Sequence, residues 1–284
     1  MSYQLDLKLV LEEIIAAEPE LNLYLLLDSG GLPGVQKQLS KYFIKWKSLF
    51  DCTRETSDLS AAPILILVGA NGNLLISRCF LDWLGEAGAY TSSVSILSSV
   101  LNTAALSERL VARLHVKISE NMDAMLRFFD PRVFESLTKV LTAMQADEFF
   151  SPIKIWRYLN RMGEMKRIDT NFSLIENISS PLIIGQNQEF ALLEASEVDQ
   201  VFALLMDNFP ELLAPISKDR RHPLINESMA FAKECGIDSI AKFSIYIAMI
   251  LSSEGNENEA SRLELIRRLK SDDFELSWIF QNGL

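Results

Sequence analysis

Side chains able to do chemistry are few in this sequence, and they are scattered. His115 and His222 are the two histidines, and each stands alone. Neither lies in a His-Glu-x-x-His pattern, and no Gly-x-Ser-x-Gly elbow is present. Cys52, Cys79 and Cys235 are odd in number and form no Cys-x-x-Cys pair. That argues against a disulfide framework and against a cysteine zinc site. The adjacent carboxylates Glu12 and Glu13, and the group Glu254, Glu257 and Glu259, read as solvated, because neighbours on an exposed helix diverge. Gly30-Gly31-Leu32-Pro33-Gly34 follows a strand and opens a helix, where a phosphate loop would sit. It lacks both the G-x-G-x-x-G and the G-K-[ST] patterns, and Pro33 removes one N–H, so a plain tight turn is expected. The expectation is therefore no catalytic set, no metal and no cofactor.

Residues 125–134, Met-Leu-Arg-Phe-Phe-Asp-Pro-Arg-Val-Phe, are the most informative stretch. Asp130 is suited to cap a helix, and Pro131 fits the first helical position, where its missing N–H is no loss. Arg127 and Arg132 place two cations around that one carboxylate. Arg127, Asp130, Pro131 and Arg132 at this strand-to-helix corner form either a structural latch or a binding surface, and the capping role of Asp130 favours the latch. Phe128, Phe129, Phe149, Phe150 and Trp156 supply core mass around it, and any exposed members are candidate anchors for a partner. Trp278 and Phe280, in an apolar tail, are further candidates. Lys37, Lys41 and Lys45 form an i, i+4, i+8 stripe. In a chain of net charge −11 this stripe is either a solvated face or a surface that steers an acidic partner.

These residues need a scaffold. Leu7, Val10, Leu11, Ile14 and Ala17 predict a helix over 6–18, stopped by Pro19. Leu21–Leu27 reads as a strand covered on both faces. A long helix is predicted from Val35 to Phe50, and a second buried strand over Ile64–Val68. Asn71-Gly72 is a hairpin signal, but the apolar spacing over 74–84 favours a helix. Val94–Leu97 reads as a strand. Leu106–Leu114 reads as a helix with Glu108, Arg109 and Arg113 mostly outward. Leu126–Phe129 is predicted as a strand leading into a helix that runs to Met144. The polar segment 162–171 is taken as a boundary. Beyond it, short strands are predicted at Phe172–Ile175, Leu182–Ile184 and Phe190–Leu193. Helices follow at Glu197–Phe209, Leu224–Cys235, Ser239–Leu251 and around Leu263–Leu269, with Gly236 as a left-handed cap. The fold class is α/β (α+β): an N-terminal domain, 1–165, with a short-stranded sheet flanked by helices, then a mostly helical region, 166–284.

The 284 residues suffice for a core without staples. The −11 balance weighs against nucleic-acid binding and against docking on anionic membranes. The longest apolar runs, Ile64–Ala70 and Ile245–Leu251, fall well short of the about 20 residues that span a bilayer. Met1–Lys8 shows no secretion-signal pattern. A soluble, cytoplasmic protein is expected.

Arg127-Phe128-Phe129-Asp130-Pro131-Arg132 resembles the Arg-Phe-aromatic-Asp-Pro-Arg corner of the type VI secretion adaptor proteins, also called effector chaperones (Tap or TEC). Phe149-Phe150-Ser151-Pro152-Ile153 with Trp156 is similar to the element that family places after the corner. The strand ending in Leu26-Leu27-Asp28 and the strand after Ala62-Pro63 fall in the family's order. The resemblance covers roughly residues 20–160. It implies a non-enzymatic bacterial protein that binds a toxic effector in the cytoplasm and hands it to the VgrG spike. The recognisable motifs end near Trp156, so residues 1–165 are expected to carry the general part of the interaction and residues 170–284 to tune partner choice. One departure stands out. Family members often begin the helix before the corner with His-Leu-Arg, whereas this chain has Glu108-Arg109-Leu110, with His115 later. A histidine role is therefore not carried over. The alternative from residues alone is an α/β hydrolase or transferase with an unrecognised site around Asp28 and His115.

Overall fold

The computed structural model describes residues 6–51, 53–55, 60–118, 122–174, 181–253 and 259–270. It separates into two compact units, Met1–Leu192 and Leu193–Leu284. The first contains, in order, α1 (Leu7–Ala17), β1 (Asn22–Asp28), α2 (Val35–Lys41), β2 (Lys47–Ser48), β3 (Pro63–Ala70), β4 (Asn73–Leu74), α3 (Arg78–Gly88) and β5 (Val94–Ser99). There follow α4 (Thr103–Val111), β6 (His115–Lys117), β7 (Asp123–Met125), α5 (Pro131–Val140), α6 (Ala143–Phe150), β8 (Ile155–Leu159), β9 (Met165–Asp169) and β10 (Leu182–Ile183). Helix α7 (Gln186–Asn208) starts in this unit and continues into the next.

The main sheet has seven strands in the order β2-β3-β1-β5-β8-β9, with β4 also paired to β3, and every neighbouring pair is antiparallel. Successive strand side chains point to opposite faces, so the apolar run of β1 divides between two cores. Tyr24 and Leu26 join one core with Leu65, Leu97 and Trp156, covered by Leu106 and Leu110 of α4, Phe134 of α5 and Phe149 of α6. Leu23, Leu25 and Leu27 join the other with Ile64, Ile66 and Ile96, covered by Leu11 of α1, Leu39 of α2 and Phe80 of α3. The result is a helix–sheet–helix sandwich around an antiparallel sheet, which is why β1 carries no polar alternation. A smaller sheet, β10-β6-β7, packs Val116 into the first core.

Several predicted elements are corrected. The long helix from Val35 stops at Lys41, because Lys47–Ser48 pairs with β3 instead. Asn71 and Gly72 both take positive φ, 49° and 73°, which is the type I′ hairpin geometry. The β3–β4 hairpin forms, and α3 begins only at Arg78. Leu126–Phe129 is a turn rather than a strand, and the helix after Asp130 breaks at Leu141, where Thr142 starts α6 with a capping box. The segment 162–171 holds the β8–β9 turn and strand β9. Phe172–Leu174 form no strand, Ile175 lies outside the described residues, and Phe190–Leu193 belong to α7.

The second unit holds the rest of α7, then α8 (Pro210–Leu213), α9 (Lys218–Glu234), α10 (Ile240–Ser252) and α11 (Glu259–Leu269). Their core contains Leu205, Ile225, Met229, Phe243, Tyr246 and Ile266. Gly236 has φ +85°, with Gly236 N–H donating to Lys233 and Ile237 N–H to Ala232, a Schellman cap. Helix α9 starts before the predicted Leu224 and holds Pro223 inside it. Among the described residues no helix is long and apolar enough to cross a membrane.

Candidate functional site

The corner forms as its residue types require. Asp130 Oδ1 accepts the Arg132 backbone N–H at 2.9 Å and so caps α5, and Pro131 opens the helix. The Arg132 side chain folds back on the same carboxylate as a two-pronged fork, Nε to Oδ1 at 2.9 Å and Nη2 to Oδ2 at 2.8 Å. Arg127 Nη2 then bridges two carboxylates, Asp28 Oδ2 at 3.1 Å and Asp130 Oδ2 at 3.8 Å. Its guanidinium lies 5.7 Å from the Phe129 ring centroid.

Asp28 is the corner member that the motif alone does not reveal. It lies 99 positions before Arg127, at the end of the central strand β1. It is buried, and burial holds its carboxyl above the ordinary value; Arg127 opposes that shift and the nearby Asp130 charge reinforces it. Asp28 Oδ1 also accepts the Gly30 N–H at 3.0 Å. The glycine turn therefore spends that N–H on its own aspartate rather than presenting it to a phosphate. A Cβ at Gly31 would overlap Ser93 Oγ, so this turn is glycine for close packing. The sequence signal that could have found Asp28 is a carboxylate ending a wholly apolar strand, since such a charge needs a partner.

Arg113 corrects the expectation that it faces outward. It is buried, and its guanidinium donates to the carbonyls of Phe149 (2.6 Å), Glu148 (2.9 Å) and Arg109 (2.6 Å), and to Ser151 Oγ (3.1 Å). It thus satisfies C-terminal carbonyls of both α4 and α6 with one cation. Helical periodicity could not reveal this, because its acceptors are backbone atoms.

Phe128, Phe129, Phe149, Phe150 and Trp156 are all buried in the first core. None is an exposed anchor, because the edge-to-face contacts among them consume their surfaces. Phe128 meets Phe149 at 5.6 Å between centroids, and Trp156 stacks on Phe134 at 4.3 Å. Tyr158 joins them, its phenol pushed up to about 12 by burial and the Glu135 charge. Lys37, Lys41 and Lys45 are all exposed, but only the first two share α2; Lys45 lies in the loop beyond it. That loop also exposes Phe43 and Trp46, which the long predicted helix had placed on its apolar side. Trp278 and Phe280 lie outside the described residues.

Asp28 and His115 make no contact with each other. His115 Nε2 faces Glu55 Oε2 at 4.0 Å from β6. His222 is half-buried on α9 in the second unit. Among the described residues, no three His, Cys, Asp or Glu side chains converge as metal ligands. What the corner can do chemically is hold four charges in a self-satisfied network that ties the end of β1 to the start of α5.

No curated protein and no solved structure matches the chain. A family model does: the one described as a domain of unknown function, DUF4123, matches residues 23–148, from β1 to the last turn of α6 and including the whole Asp28–Arg127–Asp130–Arg132 corner.

Proposed function

We propose that the chain is a non-enzymatic adaptor that binds a type VI secretion effector in the bacterial cytoplasm and loads it onto the VgrG spike. The observation that carries this reading is the Arg127–Arg132 corner. It resembles the adaptor motif, it lies wholly inside the matched stretch, and that domain is known in adaptors associated with such effectors. The chemistry of the corner supports the reading, because its charges pair with one another and tie two elements together.

The test is affinity capture of the tagged chain from its native host, with delivery measured in a deletion strain. The effector and the spike protein should co-elute, and deletion should abolish delivery of that effector alone. Unchanged delivery in the deletion strain would overturn the proposal. So would a folded His115→Ala or His222→Ala variant that keeps the effector but loses delivery, since that outcome points to catalysis.

A further inference from the structure

The helix α2 ends in a Schellman cap, with Phe43 N–H donating to Ser40 at 3.2 Å and Ile44 N–H to Leu39 at 3.0 Å. The left-handed position of that cap, normally glycine, is Phe43, at φ +53°. The residue is 93% exposed. It therefore carries two costs, a strained backbone and a hydrated aromatic ring, with little packing return among the described residues.

Phe43 stands on the rim of a groove of about 540 Å³. Trp46, Leu65, Leu67 and Leu75 supply apolar walls, and Trp46 and Leu75 are exposed. The floor is a two-residue gap in the outer edge of β3. Strand β2 pairs with Ile64 and Leu65, β4 pairs with Gly69 and Ala70, and Leu75 N–H donates to the Val68 carbonyl at 2.8 Å. On that edge no strand pairs with Ile66 or Leu67 among the described residues. The unpaired backbone of that gap, beside apolar walls, can hydrogen-bond a short stretch of an added extended chain. The charge is one-sided. Lys45 and Lys47 line the groove, Lys41 sits 4.9 Å over the adjacent Tyr42 ring, and no described lining residue is acidic, in a chain of net −11.

We propose that this groove receives an extended segment of a partner protein, with apolar side chains set between carboxylates, whose middle meets the Ile66–Leu67 gap of β3. Apolar side chains fill the space between Phe43, Trp46 and Leu75, and the carboxylates meet Lys45 and Lys47. The inference rests on the adaptor reading and names the surface by which such a protein would hold its partner.

Phe43→Gly is the decisive variant, because it relieves the strained cap while deleting the aromatic rim. Its melting temperature should rise by about 2 °C. Its affinity for a labelled peptide of about six residues alternating Val with Glu should fall about tenfold or more. The Val/Lys counterpart should not bind. Wild-type binding should weaken with added salt, and Lys45→Glu with Lys47→Glu should abolish it. Equal binding of both peptides, or equal binding by wild type and Phe43→Gly, overturns the proposal. So does a wild-type dimer that Phe43→Gly dissolves without changing peptide binding, since the occupant would then be a second copy. Capture from the native host separates the two readings. If wild type and Phe43→Gly capture the same effector equally, the groove fails and the adaptor stands; if wild type captures none, the adaptor reading itself fails.

Discussion

Replacing Asp130 asks whether the corner is a structural latch or a binding surface. Asp130→Ala removes the N-cap of α5, worth about 1 kcal/mol. It also removes the fork from Arg132, whose side chain is 37% exposed, so that contact is worth only about 0.5 kcal/mol. Arg127 is not stranded, because it keeps Asp28 at 3.1 Å and is itself half exposed. The sum, about 1.5 kcal/mol, is well below the roughly 3–5 kcal/mol of a broken buried pair. In a chain of this size it corresponds to a fall in melting temperature of about 5 °C. Asp130→Asn keeps an oxygen to accept the Arg132 N–H and loses mainly the fork, so it should cost about 0.5 kcal/mol. Thermal and urea unfolding of the full chain gives both numbers, and partner capture should fall only in step with the folded fraction. Asp130→Ala with unchanged stability and lost capture would refute the latch. Equal costs for Asn and Ala would show that the ion pairs, not the cap, hold the corner.

Asp28 gives the pH test. Its carboxyl is held above the ordinary value in the folded chain, so between the unfolded and folded pKa values the folded state binds the extra proton. Stability relative to Asp28→Asn should therefore rise as pH falls through that window, and the advantage should be lost as pH climbs above it; urea midpoints of the two proteins against pH decide this. Arg113→Met should cost roughly 3 kcal/mol, because it leaves the carbonyls of Phe149, Glu148 and Arg109 without this donor, and an equal unfolding midpoint would show that they find other partners. Trp156 Nε1 has no hydrogen-bond partner among the described residues, so Trp156→Phe should cost under about 2 kcal/mol against about 4 kcal/mol for Trp156→Ala, measured by the same unfolding curves.

Where periodicity and burial agree, the fold is legible in sequence. The Leu21–Leu27 run announces a strand covered on both faces, and Asp130-Pro131 announces a helix start; both hold. The misreadings share a cause, namely tertiary pairing that local spacing cannot register. The apolar side chains from Val35 to Phe50 fit a helix, but hydrogen bonds from β2 to β3 end it at Lys41. The spacing over 74–84 likewise competes with an Asn-Gly hairpin that wins locally. In the corner, Arg127, Asp130 and Arg132 are legible because they are adjacent. Asp28 is not, because it arrives from 99 positions away. The groove was hidden for a related reason: Phe43 and Trp46 look like core until the helix that would bury them stops.

Strand β8 lies beyond residue 148, where the family match ends, yet it pairs along β5 and brings Trp156 into the first core. Arg157 on β8 also reaches back to Glu18 at 2.6 Å, and Glu18 lies before residue 23, where the match begins. A fragment cut at the matched limits would leave β5 with an unpaired edge and a cavity the size of an indole. Such an edge recruits other chains, so the fragment would aggregate rather than fold. The unit that selection can move between proteins is therefore larger than the stretch that similarity detects, and recombination that respects only the detected stretch would yield a sticky, unfinished sheet.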